Sequence, residues 1–478
     1  MNDKPNILFF FADDQRFDTI HALGNSAIHT PNLDALAAAG TVFTRAHIPG
    51  GSCGAVCMPS RAMLHSGRTL YHIRGQGEEI PPDHVTLAES LRQAGYLTFG
   101  TGKWHNGTAS YARGFECGDE IFFGGMEDHW MVPLCQFDPT GRYERYAPCI
   151  RNPWLTNTVE QRRGDHFHPG RHSTDIFADS SIRFIEEWDG ARPFFLYTSL
   201  MAPHDPRSMP REFLDLYDPG KIELPPNFVP EHSIDTGALR IRDERLAAIP
   251  RVPQEIQRHI ADYYAMISHL DAALGRIVES LRRKGVLENT LIVFSGDNGL
   301  AVGQHGLMGK QSLYDHSVRV PLIFAGPGIP KGRQSDALVY LLDVFPTLCG
   351  LTGTPVPDSV EGVSLLPCFR DPAAALRQDL YLAYDDSIRG LTDGRHKLIE
   401  YACGATQLFD LVVDPFEMRS LAEKEEFQPA LASLRQRLVQ TSREWDDRDH
   451  STGAAFWQRR GDLDFPRPMS PQPENTTR

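Results

Sequence analysis

Five short runs of almost unbroken hydrophobic residues, at 7–12, 96–101, 193–199, 290–295 and 320–325, constrain this chain more than any other feature. A strand with one face in water alternates apolar and polar residues. A run that does not alternate suits a strand covered on both faces, as the parallel strands of an α/β sheet are. Helical stretches lie between the runs, and their ends are marked. Thr30-Pro31 opens one that Gly40 ends, with proline in its favoured first turn. Thr86-Leu-Ala-Glu89 is a capping box, and Gly95 closes that helix before the next run. The longest helix carries Ile256, Ile260, Tyr263, Ile267, Leu270, Leu274, Ile277 and Leu281 at alternating steps of four and three, a core-facing stripe. These features predict an α/β fold: a large, mainly parallel sheet sandwiched by helices.

Around residues 352–375 the pattern changes. Strand-like pieces occupy 379–384, 396–401 and 407–410, with a helix near 427–438. They predict a smaller C-terminal α+β subdomain with a small antiparallel sheet over 370–478, leaving 1–369 as the main α/β domain. From about Ser451 the chain is polar and proline-rich and is expected to run as an extended tail.

Composition narrows the function classes. Lys and Arg total 48 against 62 Asp and Glu, a net charge of −14, which argues against nucleic acid as a partner. The 8 cysteines are too scattered for a disulfide framework and show no paired zinc spacing. No stretch approaches the roughly 18 apolar residues of a membrane span. The run at 7–12 is short for a signal-peptide core, and no small-residue cleavage site comes after it. The chain is therefore expected to be cytoplasmic as written, or periplasmic or secreted if a signal segment was removed.

The residues capable of chemistry lie directly after the apolar runs. The run at 7–12 leads into Asp13-Asp14, and that at 96–101 into Gly-Lys103-Trp-His105. The run at 193–199 leads towards Pro-His204-Asp, and that at 290–295 into Gly-Asp297-Asn298-Gly. In open parallel sheets ligands bind beyond the carboxyl ends of the strands, so four segments are expected to deliver these groups to one edge. Asp13, Asp14, Asp297 and Asn298 offer only oxygen ligands, which suits a hard divalent cation such as Ca²⁺ or Mg²⁺. Taken singly, such residues also cap helices and turns. In Cys57-Met-Pro-Ser-Arg61, Pro59 places Cys57 just before a helix running to about Gly67, where free N–H groups and the dipole attract negative charge. Arg61 lies one turn on, along the same face. A lone cysteine there also reads as an inert buried thiol, as Cys53 does.

Cys57-x-Pro-x-Arg61, with Ser66-Gly67-Arg68 downstream, resembles the signature of type I sulfatases in the alkaline phosphatase superfamily. The resemblance extends through Pro5-Asn-Ile-Leu, Asp13-Asp14, Gly102-Lys-Trp-His-Asn-Gly107, Pro203-His204, Gly296-Asp-Asn-Gly299 and Gly309-Lys310, with His396-Lys-Leu-Ile and Gln407-Leu-Phe-Asp-Leu resembling the family's C-terminal region. It implies that Cys57 is oxidised to formylglycine by a formylglycine-generating enzyme. The hydrate then supplies an oxygen to attack sulfur. Asp13, Asp14, Asp297, Asn298 and position 57 itself would hold the metal, Ca²⁺ by family habit, with Mg²⁺ or Mn²⁺ open. Asp297 would also take a proton from the attacking hydroxyl. Arg61 and Lys103 would steady the hydrate and the growing charge, and His105 would help collapse the sulfated hemiacetal. His204 and Lys310 would grip sulfate oxygens, one of them protonating the departing alcohol.

A carbohydrate O-sulfate is the expected substrate, with choline sulfate and aryl sulfates open. The alternatives are a phosphodiester or phosphonate monoester hydrolase of the same superfamily and an unmatured protein that only binds sulfated ligands. In the former a histidine is expected at position 298 and no Lys-Trp-His motif. Specificity is expected in the loops 106–154, 156–173 and 207–252 and in the C-terminal part. There Arg162, Arg163, His166, His168, Arg171 and Arg207 read either as a basic patch or as a solvated loop. His305 reads equally as a substrate contact and as a loop residue. Oligomeric assembly is open.

Overall fold

In the computed structural model, residues 4–150, 152 and 154–463 are described. An eight-stranded sheet forms the centre. In chain order its strands are β1 (Asn6–Ala12), β2 (Gly40–Phe43), β3 (Leu97–Lys103), β4 (Cys117–Phe122), β5 (Phe194–Ser199), β6 (Thr290–Gly296), β7 (Leu322–Ala325) and β8 (Arg333–Ser335). Across the sheet they run β8-β2-β7-β6-β1-β5-β3-β4. The five strands from β6 to β4 are mutually parallel, which places their carboxyl ends along one edge.

β7 departs from expectation, being antiparallel to both β6 and β2. Its four residues are all buried, and burial on both faces accounts for its unbroken apolar text in either direction. β1 shows the same burial. Ile7, Phe9 and Phe11 belong to one core, shared with Met63, Leu91 and Leu398, whereas Leu8, Phe10 and Ala12 pack with Leu270, Leu274 and Ile277 of the long helix Pro253–Arg283. The capping box at Thr86 is formed with Glu89, as its sequence predicts.

A second sheet holds β9 (Leu380–Tyr384), β10 (Ile388–Thr392), β11 (His396–Tyr401) and β12 (Thr406–Asp410), antiparallel in sequence. The short strand Gly50–Gly51, just upstream of Cys57, adds to its edge in parallel with β9. The C-terminal sheet is thereby fastened to the segment that leads into the Cys57 helix. Helix Gln428–Glu444 covers this sheet.

The expected tail is instead helical from Ser451 to Arg459, with Phe456 and Trp457 buried. Trp457 Nε1 donates to Asp447 Oδ2 over 2.7 Å, and this carboxylate also holds Tyr381 Oη (2.6 Å) and Arg389 Nε (2.8 Å). Two aromatic residues and a buried carboxylate keep the segment on the domain despite its polar composition. A 3-10 turn at Gly461–Leu463 continues it, and the expected tail beyond residue 463 lies outside the described residues.

Candidate active site

Adjacent parallel strands β1 and β6 end together, Ala12 opposite Gly296, so Asp13-Asp14 and Asp297-Asn298 emerge side by side. Asp14 adopts φ +66°, a left-handed conformation that aspartate tolerates better than most residues. Its N–H donates to Asp297 Oδ1 over 3.0 Å. On the far side of β5, β3 ends at Lys103. Gly102 precedes it at φ +89°, where a Cβ would lie 1.8 Å from the Ser199 carbonyl oxygen, so the close approach of β3 to β5 requires glycine.

Helix Cys57–Ser66 crosses the ends of these strands, and Cys57 is its first residue rather than the one before it. Ser60 Oγ donates to the Asp297 carbonyl over 2.5 Å. Arg61, fully buried, donates from Nε to Asp297 Oδ2 (2.7 Å) and from Nη1 to the Lys103 carbonyl (3.1 Å) and Ser199 Oγ (2.7 Å). Lys103 Nζ donates to Asp13 Oδ2 over 2.5 Å. Lys310 Nζ meets Asp14 Oδ1 at 2.5 Å and Cys57 Sγ at 2.8 Å. His204 Nε2 faces Asp14 Oδ2 at 3.7 Å, while its Nδ1 donates to the Asp205 carbonyl over 2.7 Å.

The structure thus gathers Asp13, Asp14, Cys57, Arg61, Lys103, His204, Asp297, Asn298 and Lys310 into one buried cluster. His105 stands beside it at φ +74°, past the end of β3, with a buried Nδ1 that has no hydrogen-bond partner among the described residues. Two residues to which the sequence reading gave no individual role complete the frame. Ser199 orients Arg61, and Asn106 Nδ2 donates to the carbonyls of Met58 (2.9 Å) and Gly77 (2.6 Å), holding the loop against the Cys57 helix. Neither lies in a spacing that signals its role, since each acts through a fold contact.

Burial governs the electrostatics. Burial and the neighbouring Asp13 carboxylate push Asp297 up to about 7, against the pull of Arg61 and Lys103. Burial opposes ionisation of Asp13 too, yet Lys103 and Arg61 hold it well below the usual carboxylate range. Burial drives the Cys57 thiol well up despite Lys310. It also lowers His204 to about 4 and, with Lys103 and Arg61, takes His105 well below the usual imidazole value. Lys310 is held well above its ordinary value by Asp14 and Cys57, although burial works against it.

These residues fit a divalent cation. Carboxylate oxygens of Asp13, Asp14 and Asp297 and the Cys57 sulfur all lie within 4.8 Å of one another. Asp13 Oδ1 and Asn298 Oδ1 are buried without hydrogen-bond partners among the described residues, two oxygen acceptors that a hard cation would satisfy.

His305 is placed elsewhere. It stacks on Tyr314 with ring centroids 3.9 Å apart and bonds from Nε2 to the Glu417 carbonyl, which makes it a loop residue. The basic patch is not formed either. Arg162 pairs with Glu127 and Glu160, Arg171 with Asp179, and His166 and His168 with Glu120. Arg163 donates to the carbonyls of Arg142 and Tyr143. Arg207 differs: Nη1 meets His259 Nδ1 at 2.8 Å, while buried Nε and Nη2 have no hydrogen-bond partner among the described residues.

The profile of the Sulfatase family matches residues 5–354, nearly three quarters of the chain and every residue of this cluster. The chain belongs to the sulfatase family. It is a sulfuric ester hydrolase of the alkaline phosphatase-like superfamily. A second profile, N-sulphoglucosamine sulphohydrolase, C-terminal, matches residues 303–444 and includes the C-terminal sheet. This sulfatase is 29% identical to a sulfatase of Formosa agariphila, over 94% of this chain and 89% of that one. It is 27% identical to an N-acetylglucosamine-6-O-sulfatase of Bacteroides thetaiotaomicron, over 93% and 88%. In fold it is similar to the solved structure of BT4656 in complex with its substrate D-glucosamine-2-N,6-O-disulfate. That match has a TM-score of 0.76 at 24% identity and covers 94% of this chain and 99% of that chain.

Proposed function

We propose that this sulfatase hydrolyses a carbohydrate O-sulfate with a formylglycine made from Cys57 by a formylglycine-generating enzyme, and with Ca²⁺ as its metal. The observation that carries the reading is the position of Cys57. It opens a buried helix with its sulfur 2.8 Å from Lys310 Nζ and 3.6 Å from Asp14 Oδ1. The thiol itself is a poor nucleophile there, because burial keeps it protonated. Converted and hydrated, position 57 supplies an oxygen nucleophile. A cation held by Asp13, Asp14, Asp297 and Asn298 supplies charge that favours its ionised form.

The chain's own groups account for the remaining steps. Three buried carboxylates face three buried cations, Arg61, Lys103 and Lys310, so the side chains are near neutrality before a divalent cation is added. Adding it leaves an excess of positive charge for a sulfate monoester, which carries a single negative charge. Arg61 is locked by three acceptors and holds position 57 and Asp297 in fixed relation. Lys103, held by Asp13, and Lys310, held by Asp14, bind sulfate oxygens where charge develops. Lys310 bears the proton suited to the departing alcohol oxygen, and His204 with its Nε2 towards the cluster shares the sulfate. His105, neutral and beside Lys103, accepts the proton when position 57 is regenerated. Catalysis is assigned to residues 1–369, and the sheet in 370–478 supports the wall reached through Gly50–Gly51.

A saccharide substrate is supported by the substrates named for the Bacteroides thetaiotaomicron enzyme and for BT4656. It is also supported by Arg207, three residues after His204, whose buried Nε and Nη2 have no hydrogen-bond partner among the described residues. Sulfate release should be measured from sulfated mono- and disaccharides, choline sulfate and an aryl sulfate, with enzyme matured by a formylglycine-generating enzyme and Cys57→Ala in parallel. Release from a saccharide that disappears in the alanine variant is expected. Cleavage of phosphonates or phosphodiesters in place of every sulfate ester would overturn the reading, as would a variant as active as the parent.

A further inference from the structure

Away from the cluster, β4 contains a bulge. Gly100 of β3 stands opposite Gly118, but Gly102 stands opposite Ile121, so Asp119 and Glu120 together face Thr101. Glu120 takes φ +52°, a left-handed conformation that costs a non-glycine residue about 1 kcal/mol. The bulge turns its carboxylate towards residues 165–168, a segment tied to Leu134 by backbone pairing at His166. His166 Nε2 lies 2.8 Å from Glu120 Oε2, and His168 Nε2 lies 2.9 Å from Glu120 Oε1. The imidazole planes are inclined at 78° with centroids 5.2 Å apart. The other nitrogen of His166, Nδ1, is in close hydrogen bond with Asp165 Oδ1.

We propose that Glu120, His166 and His168 form a second metal site in this protein, for Zn²⁺ or a similar imidazole-preferring transition ion. The donor set is two imidazoles and one carboxylate, the composition of an open tetrahedral site whose fourth position holds water or a ligand group. Imidazole donors disfavour Ca²⁺ and Mg²⁺, so the site differs in kind from the all-oxygen set at Asp13, Asp14, Asp297 and Asn298. The three ligand atoms lie within 4.8 Å of one another, and bonds of about 2.0–2.1 Å to a tetrahedral ion would set them about 3.3 Å apart, so the 2.8 and 2.9 Å Glu120–imidazole contacts would open slightly while wider separations close. Asp165 accepts the Nδ1 proton of His166 and orients the ring, while the Nε2 proton that Glu120 accepts without metal would be released on binding, freeing the Nε2 lone pair. Among the described residues, Glu120's ion partners are these two imidazoles, so no Lys or Arg competes for its carboxylate. Glu120 is buried while the imidazoles are a quarter to a third exposed, which leaves an entry path.

The ion would clamp the excursion between β4 and helix Ser173–Glu187 to the strand beside Lys103. Its effect on the protein is therefore stability and loop order.

The test uses the matured, full-length enzyme in saturating Ca²⁺, so that the Asp13 site is filled. Zn²⁺ is titrated calorimetrically and the melting temperature is measured alongside. About one equivalent of Zn²⁺ should bind the parent and raise its melting temperature. In Glu120→Gln and in His166→Gln/His168→Gln the affinity should fall at least about tenfold. In parallel, carbethoxylation of the parent is mapped by mass spectrometry, and Zn²⁺ should protect His166 and His168, a readout independent of how the variants fold. No binding by the parent, equal binding by well-folded variants, or modification of both histidines at an unchanged rate would each overturn the proposal.

Discussion

Arg61 Nε donates to Asp297 Oδ2 across 2.7 Å, and neither side chain reaches solvent. The pair joins the helix opened by Cys57 to the carboxyl end of β6. Replacing Arg61 with alanine strands a buried carboxylate and leaves the Lys103 carbonyl and Ser199 Oγ without their donor. Removing one partner of such a pair costs about 3–5 kcal/mol. Arg61→Ala should lower the denaturation midpoint accordingly and reduce kcat/KM by more than about a hundredfold. Arg61→Lys should recover part of the stability but little activity, because an ammonium cannot reach all three acceptors. Urea melts and steady-state sulfate release check both.

Asp297 makes the metal's effect on stability depend on pH. Its folded-state pKa is raised to about 7, above the roughly 3.9 of an unfolded aspartate. Between those values the folded state holds the extra proton, so in metal-free protein this group's stabilisation falls as pH rises from about 4 towards 7. A bound cation favours the ionised carboxylate and removes the penalty. The gain in melting temperature on adding Ca²⁺ to chelator-treated enzyme should thus be larger at about pH 8 than at about pH 5. A gain that shrinks as pH rises would contradict the geometry of the cluster.

Arg207 should act on binding rather than on chemistry. Its Nε and Nη2 are buried without partners among the described residues, and its Nη1 rests on His259. Arg207→Gln should raise KM for an anionic saccharide about tenfold while kcat changes little, since the lost contact belongs to substrate and transition state alike. Aryl sulfate, lacking a second polar group, should be almost unaffected.

The C-terminal helix is expected to be integral to the fold. Asp447 receives bonds from Arg389, Tyr381 and Trp457 in a fully buried site. Asp447→Ala leaves the Arg389 guanidinium buried without its carboxylate and should destabilise by about 3–5 kcal/mol. Activity of the surviving folded fraction should stay near that of the parent. Thermal melts combined with active-fraction assays separate the two effects.

Much of the site was legible because parallel topology turns sequence position into spatial position. Residues just after buried apolar runs must emerge at one sheet edge, and four of the runs delivered Asp13-Asp14, Lys103, His204 and Asp297-Asn298 there. The motif around Cys57 added a helix start, displaced by one residue from the structure. Less legible was strand direction, since β7 is as apolar as its parallel neighbours and burial, not direction, writes that pattern.

The sequence by itself determined the sheet-and-helix class through local periodicity, and its short motifs carried the family resemblance and the residue types of the buried cluster. Tertiary structure alone decided which charges cancel. Arg162, Arg171, His166 and His168 have the composition of an anion-binding patch, yet each meets a carboxylate that the fold brings to it, whereas Arg207 forms no ion pair among the described residues. The same holds for Phe456 and Trp457, which sit in polar text but are buried, Trp457 against a carboxylate that the fold brings to it. Glu120 reaches His168 only because a one-residue bulge in β4 turns it across a separation of 48 positions. Contacts between residues far apart in the chain depend on backbone path, and no local pattern encodes that path residue by residue.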